Sequence, residues 1–226
     1  MIEVLYEDNH LLAVNKKASD LSQGDASGDS SLDLQIKDYL SAKYNKPGEV
    51  FLGVVHRLDR PVGGVILYAR TSKALRRLNE LFRNREVTKT YLAIVGNRPP
   101  EDKATITHFL RKNEKQNRAN VFDRQVKGSQ EASLTYRLAG RSDRYFLLEI
   151  ELHSGRHHQI RAQLSKIGCP VKGDLKYGSP RSNNDGSISL FARRLELIHP
   201  VRKEKIEICA PLPETDVWKH FSGVEV

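Results

Sequence analysis

The densest polar run in the chain is His56-Arg57-Leu58-Asp59-Arg60, which follows Val54-Val55 and precedes Pro61-Val62-Gly63-Gly64. Asp59 stands among three cationic or potentially cationic side chains at a strand end, where a carboxylate can act as nucleophile, base or metal ligand. The glycines after it let a ligand approach the backbone. The same pattern describes a structural ion-pair cluster at a sheet edge, and in isolation that reading is favoured. A second run, Ser154-Gly155-Arg156-His157-His158-Gln159-Ile160-Arg161, opens a helical segment, where free backbone N–H groups and two arginines suit an anion. A solvated basic helix start accounts for it equally well. Arg161 follows the inward-facing Ile160, so partial burial would require a carboxylate partner, and Asp59 is the candidate. Tyr91, in Lys89-Thr90-Tyr91-Leu92-Ala93, reads alone as a core residue, yet beside a carboxylate and an arginine its ring could stack on a flat base.

Metal chemistry finds no support in spacing. His56, Asp59, His157, His158 and His199 form no His-Glu-x-x-His pattern, and the adjacent His157-His158 pair points two ways if helical. The two cysteines, Cys169 and Cys209, have no metal or disulfide spacing. No metal and no cofactor is expected.

The elements that must position these residues are mostly strands. Runs at 10–15, 53–58, 64–70, 90–95, 104–110, 131–138, 145–152, 190–198 and 205–209 are short, apolar or alternating. Three helices are predicted. Ser31 caps one that carries Leu32, Ile36, Tyr39 and Leu40. Thr71 or Ser72 caps a second with Leu75, Leu78, Leu81 and Phe82 inward and Lys73, Arg76, Arg77, Arg83 and Arg85 outward. The third spans 158–167 and stops at Gly168 and Pro170. Segments 17–29 and 178–187 read as mobile loops. No composition shift divides the chain, so one domain of mixed α and β character is expected over 1–226.

With 226 residues, 38% of them apolar, the chain can bury a full core. Its apolar runs are too short to span a bilayer, and its early acids Glu3, Glu7 and Asp8 do not make a secretory signal. A cytoplasmic location without membrane association is the expectation. Thirty-seven Lys and Arg against 28 Asp and Glu leave a charge of +9, which favours a polyanionic partner through counterion release.

Together these segments resemble the RluA family of pseudouridine synthases, in the form without an S4 domain. Tyr6-Glu7-Asp8-Asn9-His10-Leu11-Leu12-Ala13-Val14-Asn15-Lys16 is similar to that family's opening motif. His56-Arg57-Leu58-Asp59-Arg60 with Val65-Ile66-Leu67 is similar to its active-site signature. Lys89-Thr90-Tyr91, Gly155 through Arg161, Gly173-Asp174-Leu175-Lys176-Tyr177-Gly178, and Ala192-Arg193-Arg194-Leu195 through His199-Pro200 come in the family's order. Six motifs in order over most of the chain outweigh the structural readings of each. Lys17, the Pro61-Val62-Gly63-Gly64 turn, His157 and Lys172 depart from the family's usual residues, and none has an assigned chemical role.

The resemblance implies an α+β fold, a mixed and mainly antiparallel sheet flanked by helices, with the active-site cleft across the sheet. It implies that the enzyme isomerises uridine in rRNA or tRNA to pseudouridine. Asp59 would be the nucleophile, Tyr91 would stack on the base and remove the C5 proton, and Arg161 would pair with Asp59. Arg57 would replace the flipped nucleotide. Leu195 would line the uracil pocket, and His56, Arg60, Arg156 and Gln159 complete the residues assigned to substrate. The partner is an RNA stem-loop, gripped by the catalytic domain of a monomer through 17–29, the basic helix face and 111–124. A catalytically silent RNA-binding or RNA-folding protein on the same scaffold is the alternative.

Overall fold

The structure, a computed structural model, describes residues 2–24, 31–214 and 216–224. It divides into two compact units, one from 1–88 and 192–211, the other from 89–191 and 212–226.

The first unit begins with β1 (Glu3–Glu7) and β2 (Leu11–Lys16), paired antiparallel, and continues through α1 (Leu32–Tyr44) to β3 (Gly53–Val54) and β4 (Gly63–Ala69). Both β2 and β3 pair antiparallel with β4. Leu11 to Val14 and Val65 to Ala69 are buried without alternation, as expected of strands covered on both faces. In α1 the buried residues are Leu32, Ile36 and Leu40, four apart on one stripe. Ser31 sits at its N-cap position, but its hydroxyl turns to the Asp33 carboxylate rather than to a helix N–H. The helix closes on Asn45 in the left-handed region. Helix α2 (Ser72–Arg83) is capped by Thr71, whose hydroxyl accepts from the Ala74 N–H at 3.2 Å.

The second unit holds β5 (Thr88–Val95), β6 (Lys103–Asn113), β7 (Arg118–Phe122), β8 (Gln130–Arg141) and β9 (Phe146–Leu152), in the order β5-β9-β8-β6-β7. Every pairing among them is antiparallel. Helix α3 (Gln159–Lys166) and a 3-10 turn (Leu175–Tyr177) come next. The chain then returns through β10 (Leu190–Ile198), which enters the first unit at Ala192 and lies beside β4, and β11 (Lys205–Cys209), antiparallel to β10.

The α+β, mainly antiparallel character matches the expectation. Two strands, β1 and β7, have no clear sequence signal. Glu3–Glu7 has charge at both ends, and Arg118–Phe122 is partly polar and ordered by pairing with β6. The strand expected over 53–58 stops at Val54. Past Val54 the backbone turns irregular, and this irregular segment carries Asp59.

Candidate active site

Asp59 stands half-buried in the first unit, between β3 and β4, on a segment tied down by neighbouring groups. The Asp59 carbonyl accepts from the Val62 N–H at 3.0 Å, which closes a turn. Ahead of it, the Ser22 hydroxyl donates to the Leu58 carbonyl at 2.9 Å and accepts from the Leu58 N–H at 3.1 Å. Behind it, the Ser19 N–H donates to the Arg60 carbonyl at 2.9 Å, and Arg60 Nε donates to the Ser19 carbonyl at 3.1 Å. The Lys16 ammonium spends three donors on the carbonyls of Lys17, Arg60 and Val62, at 3.0, 3.1 and 2.8 Å. Lys16 is 1% exposed, and burial pulls its amine down to about 8, with Asp20 and Asp59 opposing.

The glycine turn behind this segment is sterically required. Gly64 has φ +112°, and a Cβ there would collide with the Ala192 carbonyl of β10. His56 Nε2 accepts from the Leu67 N–H at 3.0 Å, and its ring stacks on Phe82 of α2 at 5.0 Å between centroids. Arg57 is exposed. Leu195 is buried on β10 opposite Ile208.

In the second unit, Tyr91 lies on β5 opposite Ile150 and is nearly buried. Arg161 on α3 is 4% exposed and forms a two-pronged ion pair with Asp174, itself 1% exposed. Nε to Oδ2 is 2.6 Å and Nη2 to Oδ1 is 2.9 Å. Sequence reasoning foresaw a buried arginine in need of a carboxylate but named Asp59 alone. Asp174 had no role assigned, although the run Gly173-Asp174-Leu175-Lys176-Tyr177-Gly178 that holds it was among the motifs of the family resemblance.

The Arg161 guanidinium also lies 5.1 Å over the Tyr177 ring. The Tyr177 hydroxyl accepts from the Ala119 N–H at 2.6 Å and meets His158 Nδ1 at 3.0 Å. Burial pushes the Tyr177 phenol up, while the Ala119 bond and the nearby Arg161 and Arg118 oppose that rise. His158, at φ +50°, is the N-cap of α3. His157 precedes the helix, and the two rings stack at 3.8 Å, 22° apart. They therefore do not diverge as a helical pair would.

Gln159 is buried. Its Oε1 accepts from Ser154 Oγ at 2.8 Å and the Arg156 N–H at 3.0 Å, and its Nε2 donates to the Ser133 carbonyl at 3.1 Å. Arg156 Nε donates to the Glu131 carbonyl at 3.0 Å.

Both segments read as mobile loops are hydrogen-bonded to other parts of the chain where described. Ser19 and Ser22 belong to 17–29, of which 25–29 lie outside the described residues. In 178–187, Asn183 is buried and accepts from Lys172 Nζ at 2.8 Å.

The first unit thus holds a half-buried carboxylate on a braced turn with an exposed arginine two residues before it, and the second holds a buried arginine paired with its own acid. Residues 10–166 match the RNA pseudouridylate synthase family, and the chain belongs to that family, in its RluA branch. Its members' reaction is its own: it is an isomerase that converts uridine to pseudouridine in RNA.

Among relatives, the chain is 35% identical to tRNA pseudouridine synthase C of Salmonella typhimurium, over 95% of this chain and 87% of that one. It is 32% identical to ribosomal large subunit pseudouridine synthase D of Xylella fastidiosa, over 94% and 66%. Among solved structures it resembles human RNA pseudouridylate synthase domain containing 4, with TM-score 0.81, 22% identity, and 99% and 94% of the two chains covered. That last likeness concerns the fold. No helix among the described residues is long and apolar enough to cross a membrane.

Proposed function

We propose that the chain isomerises specific uridines of transfer or ribosomal RNA, with Asp59 as nucleophile on a flipped-out nucleotide. The observation that carries this reading is the bracing of the Asp59 turn by Lys16, Ser19 and Ser22. A structural ion pair does not call for a backbone so heavily tied on both sides of one carboxylate, whereas a nucleophile does, because misplacement by about 1 Å costs rate.

Asp59 forms a covalent adduct with the target nucleoside, the glycosidic bond breaks, the uracil turns, its C5 joins the ribose, N1 takes up a proton as C5 loses one, and the Asp59 bond breaks to free the carboxylate. Tyr91 stacks on the base and takes the C5 proton. Arg161 is the partner that aims Asp59, while Asp174 holds the arginine. Exposed Arg57 fills the gap left in the RNA, where a guanidinium plane replaces part of the stacking lost on flipping. Leu195 lines the uracil pocket. Arg60 and Arg156 attract the backbone, and His56 and Gln159 contribute by holding the segments that carry Arg57 and Arg156.

The chain acts as one catalytic domain and as a monomer, in the cytoplasm. The names of relatives in Salmonella typhimurium and Xylella fastidiosa support transfer RNA and large-subunit ribosomal RNA as substrate classes.

The test is to incubate the protein with bulk RNA from a strain lacking its gene, with a chelator present, and to map pseudouridine. The native chain gives product at discrete uridines and Asp59→Ala gives none. A chain that binds RNA without product would establish the silent alternative, and chelator sensitivity would establish metal chemistry.

A further inference from the structure

Ser22 has no part in the chemistry of Asp59, Tyr91 and Arg161, yet it touches the backbone next to the nucleophile. It is 5% exposed, too buried to reach RNA. Its hydroxyl satisfies both main-chain groups of Leu58 at once, donating to the carbonyl and accepting from the N–H. A hydroxyl has one proton and two lone pairs, so this reciprocal pair is within its capacity.

Ser22 is in turn fixed from behind. The phenol of Tyr68, fully buried on β4, donates to the Ser22 carbonyl at 2.7 Å. Burial keeps that phenol protonated by pushing its pKa well up. An unbroken line of hydrogen bonds thus runs from the rigid strand β4 through Ser22 to Leu58, one peptide from Asp59. Ser19, three residues earlier, stands at φ +84°. A serine held in the left-handed region signals a segment fixed by its surroundings.

We propose that Ser22 is a positioning residue for catalysis: its paired hydrogen bonds with the Leu58 peptide set where the Asp59 carboxylate stands. The inference rests on Asp59 being the nucleophile. Lys16 and Ser19 restrain the chain after Asp59, and Ser22 restrains it before, so removal of its oxygen frees one side of the turn. Leu58 is then left with a buried N–H and carbonyl, which find new partners only if the peptide rotates. Such a rotation displaces the Asp59 carboxylate from the reacting atoms.

The experiment compares the native chain with Ser22→Ala, Ser22→Thr, Tyr68→Phe and Asp59→Ala on RNA containing a mapped target. Single-turnover rate, KM for RNA and thermal midpoint are measured for each. Ser22→Ala lowers the single-turnover rate by about ten- to a hundredfold with KM within about twofold. Ser22→Thr, which keeps the hydroxyl, restores most of the rate, and Tyr68→Phe shows the same pattern more weakly. A general structural role would lower the thermal midpoint without separating rate from KM and without rescue by threonine.

Slow hydrogen exchange at the Leu58 amide of the native chain supports the bond whether or not Ser22→Ala folds, and fast exchange there overturns the proposal. If Asp59→Ala is inactive and Ser22→Ala keeps the native rate, the role of Ser22 is wrong and that of Asp59 stands. An active Asp59→Ala removes the nucleophile assignment and this proposal with it.

Discussion

Replacing Asp174 by asparagine keeps the shape of the side chain and removes its charge. In the native chain both carboxylate oxygens accept from Arg161, at 2.6 and 2.9 Å, between groups 1% and 5% exposed. Asparagine retains one acceptor oxygen, but its amide turns N–H donors towards another donor, and the guanidinium stays charged because it cannot release its proton. Breaking a buried pair from one side costs roughly 3–5 kcal/mol. The Tyr177 ring, 5.1 Å from the guanidinium, faces it in both chains and cancels in the difference.

Because asparagine keeps one acceptor, the loss should fall at the lower end of that range, about 3 kcal/mol, which in a chain of this size lowers Tm by roughly 6–12 °C. Urea titration of native and Asp174→Asn chains, followed by far-UV circular dichroism at constant m-value, measures it directly. Activity should fall as well, since Arg161 loses its fixed orientation. A double variant, Arg161→Met with Asp174→Leu, should recover most of the stability and none of the activity. A loss below about 1 kcal/mol in Asp174→Asn would overturn this prediction, because it would place the pair in the regime of exposed ion pairs.

Lys16, drawn down to about 8 in the folded chain from an ordinary 10.5, gives up its proton sooner folded than unfolded. Between those values the unfolded state holds more protons, so this group's share of stability rises with pH, by roughly 3 kcal/mol in all at 1.36 kcal/mol per unit. Neutral Lys16 has two N–H donors for three carbonyls, so the single-turnover rate should fall as pH rises through about 8, and Lys16→Met should lose both trends. Gly64→Ala meets the Ala192 backbone and should cost more than about 3 kcal/mol by urea titration, whereas alanine at Gly96, where a Cβ meets nothing within 4 Å, should cost little. Arg57→Ala should raise KM for RNA by about tenfold or more, in line with ~1–3 kcal/mol per lost stack, with no change in Tm.

The strands and helices were legible wherever the core dictates them. Leu32, Ile36 and Leu40, the Thr71 cap, and the unbroken run Val65 to Ala69 each announce their element. β7 was not legible, because its residues become a strand through pairing with β6. Within the site, the chemistry-bearing residues stood out because charge and sequence order mark them. Their supports did not. Ser22, Lys16, Asp174 and Tyr177 act through backbone carbonyls, a distant peptide N–H or a partner thirteen residues away, and none of these contacts leaves a pattern in residue types. Ser, Asp and Gly over 17–29 suggest a mobile loop, yet Ser19 and Ser22 are hydrogen-bonded to the Asp59 turn.

The reaction stands or falls with the Asp59 carboxylate. Asp59→Asn preserves size and hydrogen bonding while removing nucleophilicity, so the decisive measurement is its single-turnover formation of pseudouridine on a mapped RNA, with binding measured in parallel. RNA affinity should stay within about threefold of native while the rate falls at least about a thousandfold. A rate within about tenfold of native, at unchanged affinity, would take the reaction away from Asp59.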